Sequence, residues 1–156
     1  MSFPDVQKPA RDEPPFQKAD WPFYWITQVS ARYYQLMEKS LKPMGLDVAQ
    51  WRVLMSLYEG DALSISEIAD FCIIKLNTTT KIIQRMTAEG LVTCRPRKTD
   101  GRVTEVLITD KGNRLRRQGR SVANGIFERS FASLGGEDIR MLNHMLEQVF
   151  HNLDAD

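Results

Sequence analysis

The 156-residue sequence predicts a mainly α-helical protein that contains one small β-hairpin. Three observations predict this class. After residue 20, apolar residues recur at steps of three and four over most of the chain, which is the period of an amphipathic helix. Two short runs rich in β-branched residues, LVTCR (91–95) and RVTEVLI (102–108), interrupt that pattern. A basic turn joins the two runs, and together they predict a hairpin.

The composition is that of an ordinary globular protein, with 42% hydrophobic and 26% charged residues in a length that suits one domain. No apolar run approaches the roughly 18 residues that a membrane-spanning helix needs. The first residues lack the apolar segment of a signal peptide. Cys72 and Cys94 have no CxxC spacing and are predicted to be unpaired thiols. A cytoplasmic protein without a membrane partner is therefore expected.

The N-terminal third is predicted to contain an arm and two helices. Residues 1–20 hold four of the seven prolines without helical periodicity, which predicts an extended or mobile arm. A helix starts at Trp21, and the segment 42–45 ends it with a proline and a glycine. The second helix starts at Asp47, because Gln50 three residues later completes a capping-box pattern.

Four more helices are predicted around the hairpin. The third begins at Ser64, with Glu67 in the capping-box position. The fourth covers about residues 77–89 and is closed by a glycine. Two further helices, over about 109–133 and 137–153, follow the hairpin. Boundaries of this kind are accurate to a few residues.

Two short helices, a tight turn and a following hairpin predict a winged helix-turn-helix, whose second short helix enters the major groove of DNA. In that helix, NTTTKIIQRMTAEG (77–90), apolar residues share one face and the opposite face is polar. Polar side chains of this kind bind phosphates and base edges. The predicted DNA contacts are Asn77, Thr78, Thr80, Lys81, Gln84 and Arg85. Thr78 as a helix cap and Thr80 as a neutral helix residue remain the alternatives.

Basic residues are concentrated in one part of the chain. From Cys72 to Arg120 there are twelve Lys or Arg and four Asp or Glu, whereas the remaining residues hold nine and sixteen. The formal charge of +1 therefore conceals a cationic region. Such segregation is typical of a face that binds a polyanion, although a solvated charged face is the alternative.

Residues 64–109 resemble the MarR family of bacterial transcription regulators. The resemblance is carried by SISEIADF, by NTTTKIIQRMTAEGLV, by the Asp-x-Arg tripeptide Asp100-Gly101-Arg102 between the two strands, and by VLITDKG at the start of the fifth helix. It implies a DNA-binding regulator with a winged helix-turn-helix fold. Gly101 departs from the bulkier residue often found at that position.

The resemblance also implies roles for the basic turn. The wing of this family reaches into the minor groove, so Arg102 would insert there or contact the backbone, and Asp100 would hold its guanidinium. Arg95, Arg97 and Lys98 would meet flanking phosphates. The alternative is that Asp100 and its neighbouring glycine merely form a hairpin turn beside a solvated Arg102.

A homodimer is implied by the family and by the last helix, whose apolar stripe is too rich for one short protomer to cover. Packing of that stripe against the first helix of the same chain is the alternative. The expected domain covers 21–154, with the winged motif at about 47–108 and dimerisation helices at 21–44 and 109–154. The predicted interface residues are Ile139, Leu142, Met145, Leu146, Val149 and Leu153.

The family further implies a ligand-responsive repressor of a pseudo-palindromic operator, released by a small aromatic or anionic effector. Trp25, Tyr33 and Trp51 with Arg52 offer aromatic walls and one cation, which suit an aromatic carboxylate. The same three aromatic residues lie on apolar helix faces, so a purely structural role remains the alternative.

Other functions find less support in the sequence. A thiol-based redox sensor would use Cys72 or Cys94. A non-regulatory DNA-architectural protein is a further alternative, but the acidic, apolar body of the predicted dimer favours a regulatory role. An enzyme is not expected, because the chain has no phosphate-binding loop and no meaningful Ser, His and Asp arrangement. His144, Glu147 and His151 do not have the spacing of a metal site, so no metal or cofactor is predicted.

Overall fold

The structure is a computed structural model and describes residues 15–58 and 61–154. Most of the arm predicted over residues 1–20 lies outside this range. The observed elements confirm six helices and a hairpin, and add one strand. They are α1 (Pro22–Leu41), α2 (Val48–Ser56), β1 (Ala62–Ser64), α3 (Ile65–Cys72), α4 (Leu76–Ala88), β2 (Val92–Arg97), β3 (Asp100–Ile108), α5 (Asp110–Ser130) and α6 (Gly136–Leu153), with 3₁₀ turns at Lys18–Asp20 and Lys42–Met44.

Both predicted capping boxes are present. Asp47 Oδ1 accepts a hydrogen bond from the backbone N–H of Gln50 at 2.7 Å, and Gln50 Oε1 accepts one in return at 3.1 Å. At α3, Ser64 Oγ accepts from the backbone of Glu67 at 3.1 Å, and Glu67 Oε2 accepts from the backbone of Ser64 at 2.6 Å. Each cap satisfies donors that the first helical turn leaves unpaired, and is typically worth about 1 kcal/mol.

The turn between α3 and α4 is closed by a residue with left-handed backbone conformation. Ile73 follows α3 with φ 53° and ψ 49°, and its N–H bonds back to the carbonyl oxygens of Ala69 and Asp70. A β-branched residue rarely adopts this conformation, which costs about 1–2 kcal/mol. The chain can thereby enter α4 within three residues, which fixes the two helices of the motif at a short distance from each other.

The hairpin belongs to a three-stranded antiparallel sheet with the order β1-β3-β2. The sequence did not predict β1, because three residues are too few to show the alternation of a strand. Ala62 pairs with Leu107, and Val92 pairs with Ile108. The basic segment is also more extended than predicted. Both strands continue into it, so that the turn consists only of residues 98–99.

The core lies where the winged motif meets the end of α1 and the middle of α5. Its fully buried side chains include Met37, Leu41, Leu54, Leu57, Ile68, Ile83, Met86, Val92 and Val106. The predicted inner face of α4 is confirmed, since Thr79, Ile83 and Met86 are buried and Ile82 packs against the core. The buried Thr79 hydroxyl donates to the Lys75 carbonyl oxygen at 3.0 Å. The outer face of α4 is therefore the polar, largely exposed one.

A glycine on α5 allows close packing against Trp51, which is only 8% exposed. A Cβ atom on Gly119 would lie 2.5 Å from the Cδ1 and Nε1 atoms of the indole. The same helix carries Gly125, where a Cβ atom would meet nothing within 4 Å. The contact between α2 and α5 therefore depends on the absence of a side chain at residue 119.

We expect Gly119→Ala to lower the free energy of unfolding by about 1–3 kcal/mol, because the added methyl group must displace the buried indole. Gly125→Ala is the matched control and should raise it by about 0.5–1 kcal/mol, because alanine favours a helix over glycine. Urea denaturation followed by circular dichroism measures both. Equal effects of the two substitutions would contradict the close contact between Gly119 and Trp51.

Candidate nucleic-acid interface

The polar residues predicted on α4 lie on its exposed face. Asn77, Thr78, Lys81, Gln84 and Arg85 are all exposed. Thr78 does not cap the helix, because the N-cap residue is Lys75, whose side chain makes no capping bond. These five side chains form a polar surface on α4, which is the recognition helix of the predicted helix-turn-helix.

Two of the polar groups at the start of α4 are already engaged within the helix. The Thr80 hydroxyl donates to the Leu76 carbonyl oxygen at 3.0 Å, and its side chain is half-buried. Asn77 Oδ1 accepts a hydrogen bond from the backbone N–H of Thr78 at 2.9 Å. The Asn77 amide group remains a donor for an incoming ligand. The Thr80 hydroxyl already donates its one hydrogen to the backbone and can only accept a further hydrogen bond.

Arg85 is paired with the N-cap of α2. Its Nη2 donates to Asp47 Oδ2 at 2.5 Å, and both side chains are about half exposed. One turn further along α4, Glu89 Oε2 accepts a hydrogen bond from Gln50 Nε2 at 2.8 Å. The Glu89 carbonyl oxygen also accepts from Lys111 Nζ at 2.8 Å. The C-terminal half of the recognition helix is thus fixed to both α2 and α5.

At the wing, Arg102 projects outward and is held by Asp100. Arg102 Nε and Nη2 donate to the two carboxylate oxygens of Asp100 at 3.1 and 3.2 Å, and its backbone N–H also donates to Asp100 Oδ1. The guanidinium holds the pKa of the Asp100 carboxyl below its usual value. The Arg102 side chain is nevertheless 91% exposed. Its orientation is therefore restricted while its outer surface stays open to a ligand.

The other two wing arginines are bound to Glu105 and Glu67, neither of which the sequence predicted as a partner of an arginine. Glu105 accepts from Arg95 Nε and from Arg97 Nε, each at 3.1 Å. Arg97 Nη2 also donates to Glu67 Oε2 at 2.9 Å and is only 27% exposed. The hydrogen bond from Arg95 lowers the pKa of the Glu105 carboxyl. Burial opposes this shift, the hydrogen bond from Arg97 adds to it, and the net result is a lowered pKa. The backbone bond from Ser64, followed by Arg97, lowers the pKa of Glu67.

The strand register contains the signal that would have revealed Glu105. Arg95 and Glu105 face each other across the hairpin as a cross-strand pair. Opposite charges at such positions attract. The Glu67 contact has no comparable signal, because its partner lies 30 residues away in the sequence. Lys98 occupies the exposed turn between the strands.

The four residues predicted to bind an effector do not form one cluster. Trp51 lies in the core, and its Nε1 has no hydrogen-bond partner among the described residues. Trp25 is half exposed and lies two helical turns away from Tyr33 on α1. Its Nε1 donates to the Ala19 carbonyl oxygen at 2.9 Å. The structure does bring Tyr33 and Arg52 together.

A third residue, Tyr34, joins Tyr33 and Arg52. The two tyrosine ring centroids are 5.4 Å apart, and the Arg52 guanidinium lies 5.6 Å from the Tyr34 centroid. Burial and then Tyr34 raise the pKa of Tyr33, while Arg52 opposes that shift. The result is a small aromatic surface with one cation, located between α1 and α2.

The last helix leaves its apolar residues largely uncovered. Within the described chain, no residue of α6 is buried. Ile139 and Leu142 are half-buried, whereas Met145, Leu146, Val149 and Leu153 are exposed. Five of these six follow the alternating three- and four-residue spacing of a helix–helix seam. Large apolar side chains are also exposed on α1 (Phe23, Trp25, Val29) and on α5 (Phe127).

The cysteines and histidines do not form a recognisable site. Cys72 is buried, and burial raises the pKa of its thiol. Cys94 is exposed, with its Sγ 3.8 Å from Thr87 Oγ1. Over residues 15–58 and 61–154 there is no group of three metal-binding side chains. None of the helices in those ranges has the length and apolar character to cross a membrane.

The fold and the exposed cationic face define a winged-helix DNA-binding protein. The model of the MarR family matches residues 46–104. The chain is 49% identical over 147 residues to the HTH-type transcriptional repressor IacR of Pseudomonas putida. This match covers 94% of this chain and 87% of that protein. The chain therefore belongs to the MarR family of transcriptional regulators.

Solved structures show the same fold. A MarR-family transcriptional regulator from Silicibacter pomeroyi superposes with a TM-score of 0.81 at 19% identity, covering 90% of this chain and 94% of that one. CouR from Rhodococcus jostii RHA1, solved with p-coumaroyl-CoA bound, superposes with a TM-score of 0.77 at 19% identity and covers 86% and 95%. The winged helix-turn-helix predicted from the sequence is thereby confirmed.

Proposed function

We propose that this protein is a transcriptional repressor that binds a pseudo-palindromic operator as a homodimer in the cytoplasm. The observation that carries the proposal is Arg102, which is held by Asp100 and almost fully exposed at the tip region of the wing. The polar face of α4 lies in the same winged motif. The relative named as a repressor supports the direction of regulation. The activity proposed is binding rather than catalysis.

In this proposal, α4 enters the major groove and the wing contacts the adjacent minor groove. Asn77, Lys81 and Gln84 offer donors to base edges and phosphates. A narrow minor groove concentrates negative potential and attracts an inserted arginine. Because Asp100 already restricts the Arg102 side chain, less conformational entropy is lost when the guanidinium binds.

Arg102→Ala is expected to weaken operator binding by about 1–3 kcal/mol, because a guanidinium contact with the groove is lost. The operator is the DNA fragment that the wild-type protein selects from a random-sequence pool. Fluorescence anisotropy at several salt concentrations measures affinity and salt dependence together. Wild-type binding should fall steeply with salt, since each neutralised phosphate contributes about −0.9 to the slope of log K against log salt concentration.

The matched control for this substitution is Arg140→Ala on α6. Arg140 is an exposed arginine paired with Glu137, and it lies outside the winged motif. Its loss should leave operator affinity unchanged. If Arg102→Ala binds the operator as tightly as the wild type does, the wing assignment is wrong. A salt-independent affinity of the wild type would refute DNA binding through this face.

The homodimer in this proposal forms through α6 together with α1 and α5. Exposed apolar side chains on these three helices are costly in water, and a second copy would cover them. The seam spacing on α6 suits packing of one helix against another. Two winged motifs in one particle would then engage two half-sites at once, which raises the overall affinity by effective concentration.

Leu146→Glu should dissociate the dimer, because it places a charge in the middle of the α6 seam. Operator affinity should fall by roughly 100-fold or more, since each half-site must then be bound separately. Gln148→Glu adds the same charge on the polar side of the same helix and should remain dimeric. Analytical ultracentrifugation measures the assembly. A dimeric Leu146→Glu protein would show that the interface lies elsewhere.

The second part of the proposal is an effector site at Tyr33, Tyr34 and Arg52. The specific observation is the pair of tilted tyrosine rings in contact, with a guanidinium beside one of them. Such a surface suits an aromatic carboxylate, whose ring packs on the tyrosines while its charge meets the arginine. CouR, which has the same fold, binds an aromatic acyl thioester. An effector must bind the free and DNA-bound conformations with different affinity to release the operator.

A panel of benzoates, phenolic acids and their thioesters tests this site. We expect at least one compound to release the wild-type protein from the operator. Arg52→Gln should raise the required concentration about 10-fold or more, because a charge-assisted hydrogen bond is lost. Arg32→Gln is the control, since Arg32 is an exposed arginine next to Tyr33. If no compound acts at millimolar concentration, this effector site is refuted, and oxidants acting on Cys94 become the next test.

A further inference from the structure

The caps of α2 and α3 each bind an arginine from a DNA-reading element, in addition to closing their own helix. A carboxylate can accept about four hydrogen bonds, so a capping acid retains capacity for a second partner. Asp47 uses that capacity for Arg85 of α4, and Glu67 uses it for Arg97 of the wing. The same arrangement thus occurs twice, once for the recognition helix and once for the wing.

At α2 the two functions of Asp47 are divided between its oxygens. Oδ1 accepts the capping bond from Gln50, and Oδ2 accepts from Arg85. Gln50 adds a second link, because its Nε2 donates to Glu89 while its Oε1 completes the capping box. Gln50 is only 2% exposed, so water competes little for these bonds. Two links one helical turn apart restrict both the position and the rotation of α4.

At α3 a single oxygen, Glu67 Oε2, accepts from the backbone N–H of Ser64 and from Arg97. Arg97 continues to Glu105, and Glu105 continues to Arg95. Glu105 is buried, although it carries a charge. The chain Glu67–Arg97–Glu105–Arg95 therefore runs from the start of α3 along the base of the wing. The cost of burying the Glu105 charge is offset, because two guanidinium groups pair with the carboxylate and donate hydrogen bonds to it.

We propose that Asp47 and Glu67 are positioning residues for DNA binding, which act through Arg85 and Arg97 to fix the recognition helix and the wing in one arrangement. This inference rests on the proposed DNA-binding function. It changes the roles expected for Arg85 and Arg97 in the sequence analysis. Both arginines set the spacing of the two elements, and phosphate binding is left to other cations such as Lys81 and Lys98.

The chemistry of helix caps supplies variants that separate the two functions of each acid. Asparagine is as good an N-cap residue as aspartate, and glutamine replaces glutamate in a capping box. Asp47→Asn and Glu67→Gln therefore keep the cap and remove the charge that holds the arginine. Removing an acid from a DNA-facing side strengthens binding to every DNA sequence alike. The informative quantity is consequently the ratio of operator affinity to random-DNA affinity.

For the charge-removing variants, we expect that ratio to fall about 5-fold or more relative to the wild type, because the two elements no longer hold the spacing that the operator requires. Glu137→Gln is the matched control, since it breaks an exposed Glu–Arg pair on α6. It should leave the ratio unchanged. Wild-type ratios in both Asp47→Asn and Glu67→Gln would overturn the proposal.

The double variant Glu67→Gln with Arg97→Gln gives the decisive comparison, because its net charge equals that of the wild type. A positioning role predicts a lower operator-to-random ratio with an unchanged salt slope. A phosphate-binding role for Arg97 predicts a salt slope smaller by about 1 and an equal loss of affinity for both DNAs. The second result would overturn the proposal for the wing.

Thermal melts of all variants show whether the caps remain intact. If a glutamine variant fails to fold, Arg97→Lys serves as the second test, since lysine keeps the charge but cannot bridge two carboxylates in a fork. A wild-type ratio in Arg97→Lys would count against positioning. Failure of the proposed function is distinguishable, because the wild-type protein itself would then show no preference for any selected DNA.

Discussion

The burial of α2 is the constraint on which the rest of the structure depends. This nine-residue helix contacts α1, α3, α4 and α5, and Val53, Leu54 and Leu57 at its end have no exposed surface. Removing each such side chain from water contributes about 1.5–3 kcal/mol. Two of its buried polar side chains are satisfied: Ser56 Oγ donates to the Val53 carbonyl oxygen, and Gln50 bonds to both Asp47 and Glu89. Trp51 Nε1 is the buried polar atom of this helix without a hydrogen-bond partner among the described residues. α2 therefore supports α4 directly, and it supports the wing through α3, which packs on both α2 and β3.

The basic wing is possible because acids lie among its cations. Four basic side chains within residues 95–102 would repel one another on a short hairpin. Glu105 neutralises part of this charge at the base of the wing, and Asp100 does so near its tip. The burial of the two pairs differs. The Arg97 side chain is mostly buried, whereas the Arg102 side chain is almost fully exposed. A basic cluster that looks uniform in the sequence therefore contains both structural and exposed cations.

Local patterns in the sequence were sufficient for most of the fold. The two capping boxes, the helical periods and the hairpin depend on residues within about four positions of one another, and all of them are present in the structure. The strand β1 was missed because its three residues carry no period and are ordered only by pairing with β3. The pairs Arg85–Asp47 and Arg97–Glu67 were missed because their members lie 38 and 30 positions apart. Tertiary contacts of this kind leave no spacing in the sequence.

The winged motif is joined by α5 to α6, the helix through which the dimer is proposed to form. Its N-cap residue, Thr109, donates from Oγ1 to the carbonyl oxygens of Gly90 and Leu91, directly after the recognition helix. The 21 residues of α5 then extend over about 30 Å toward α6, at a rise of 1.5 Å per residue. Because α5 is one continuous helix, its length sets the distance between the winged motif and α6. In a dimer formed through α6, the separation of the two recognition helices therefore follows from the length and packing of α5. Because Gly119 lies against Trp51 in the middle of this helix, the contact between α5 and α2 also bears on the half-site spacing that the protein can bind.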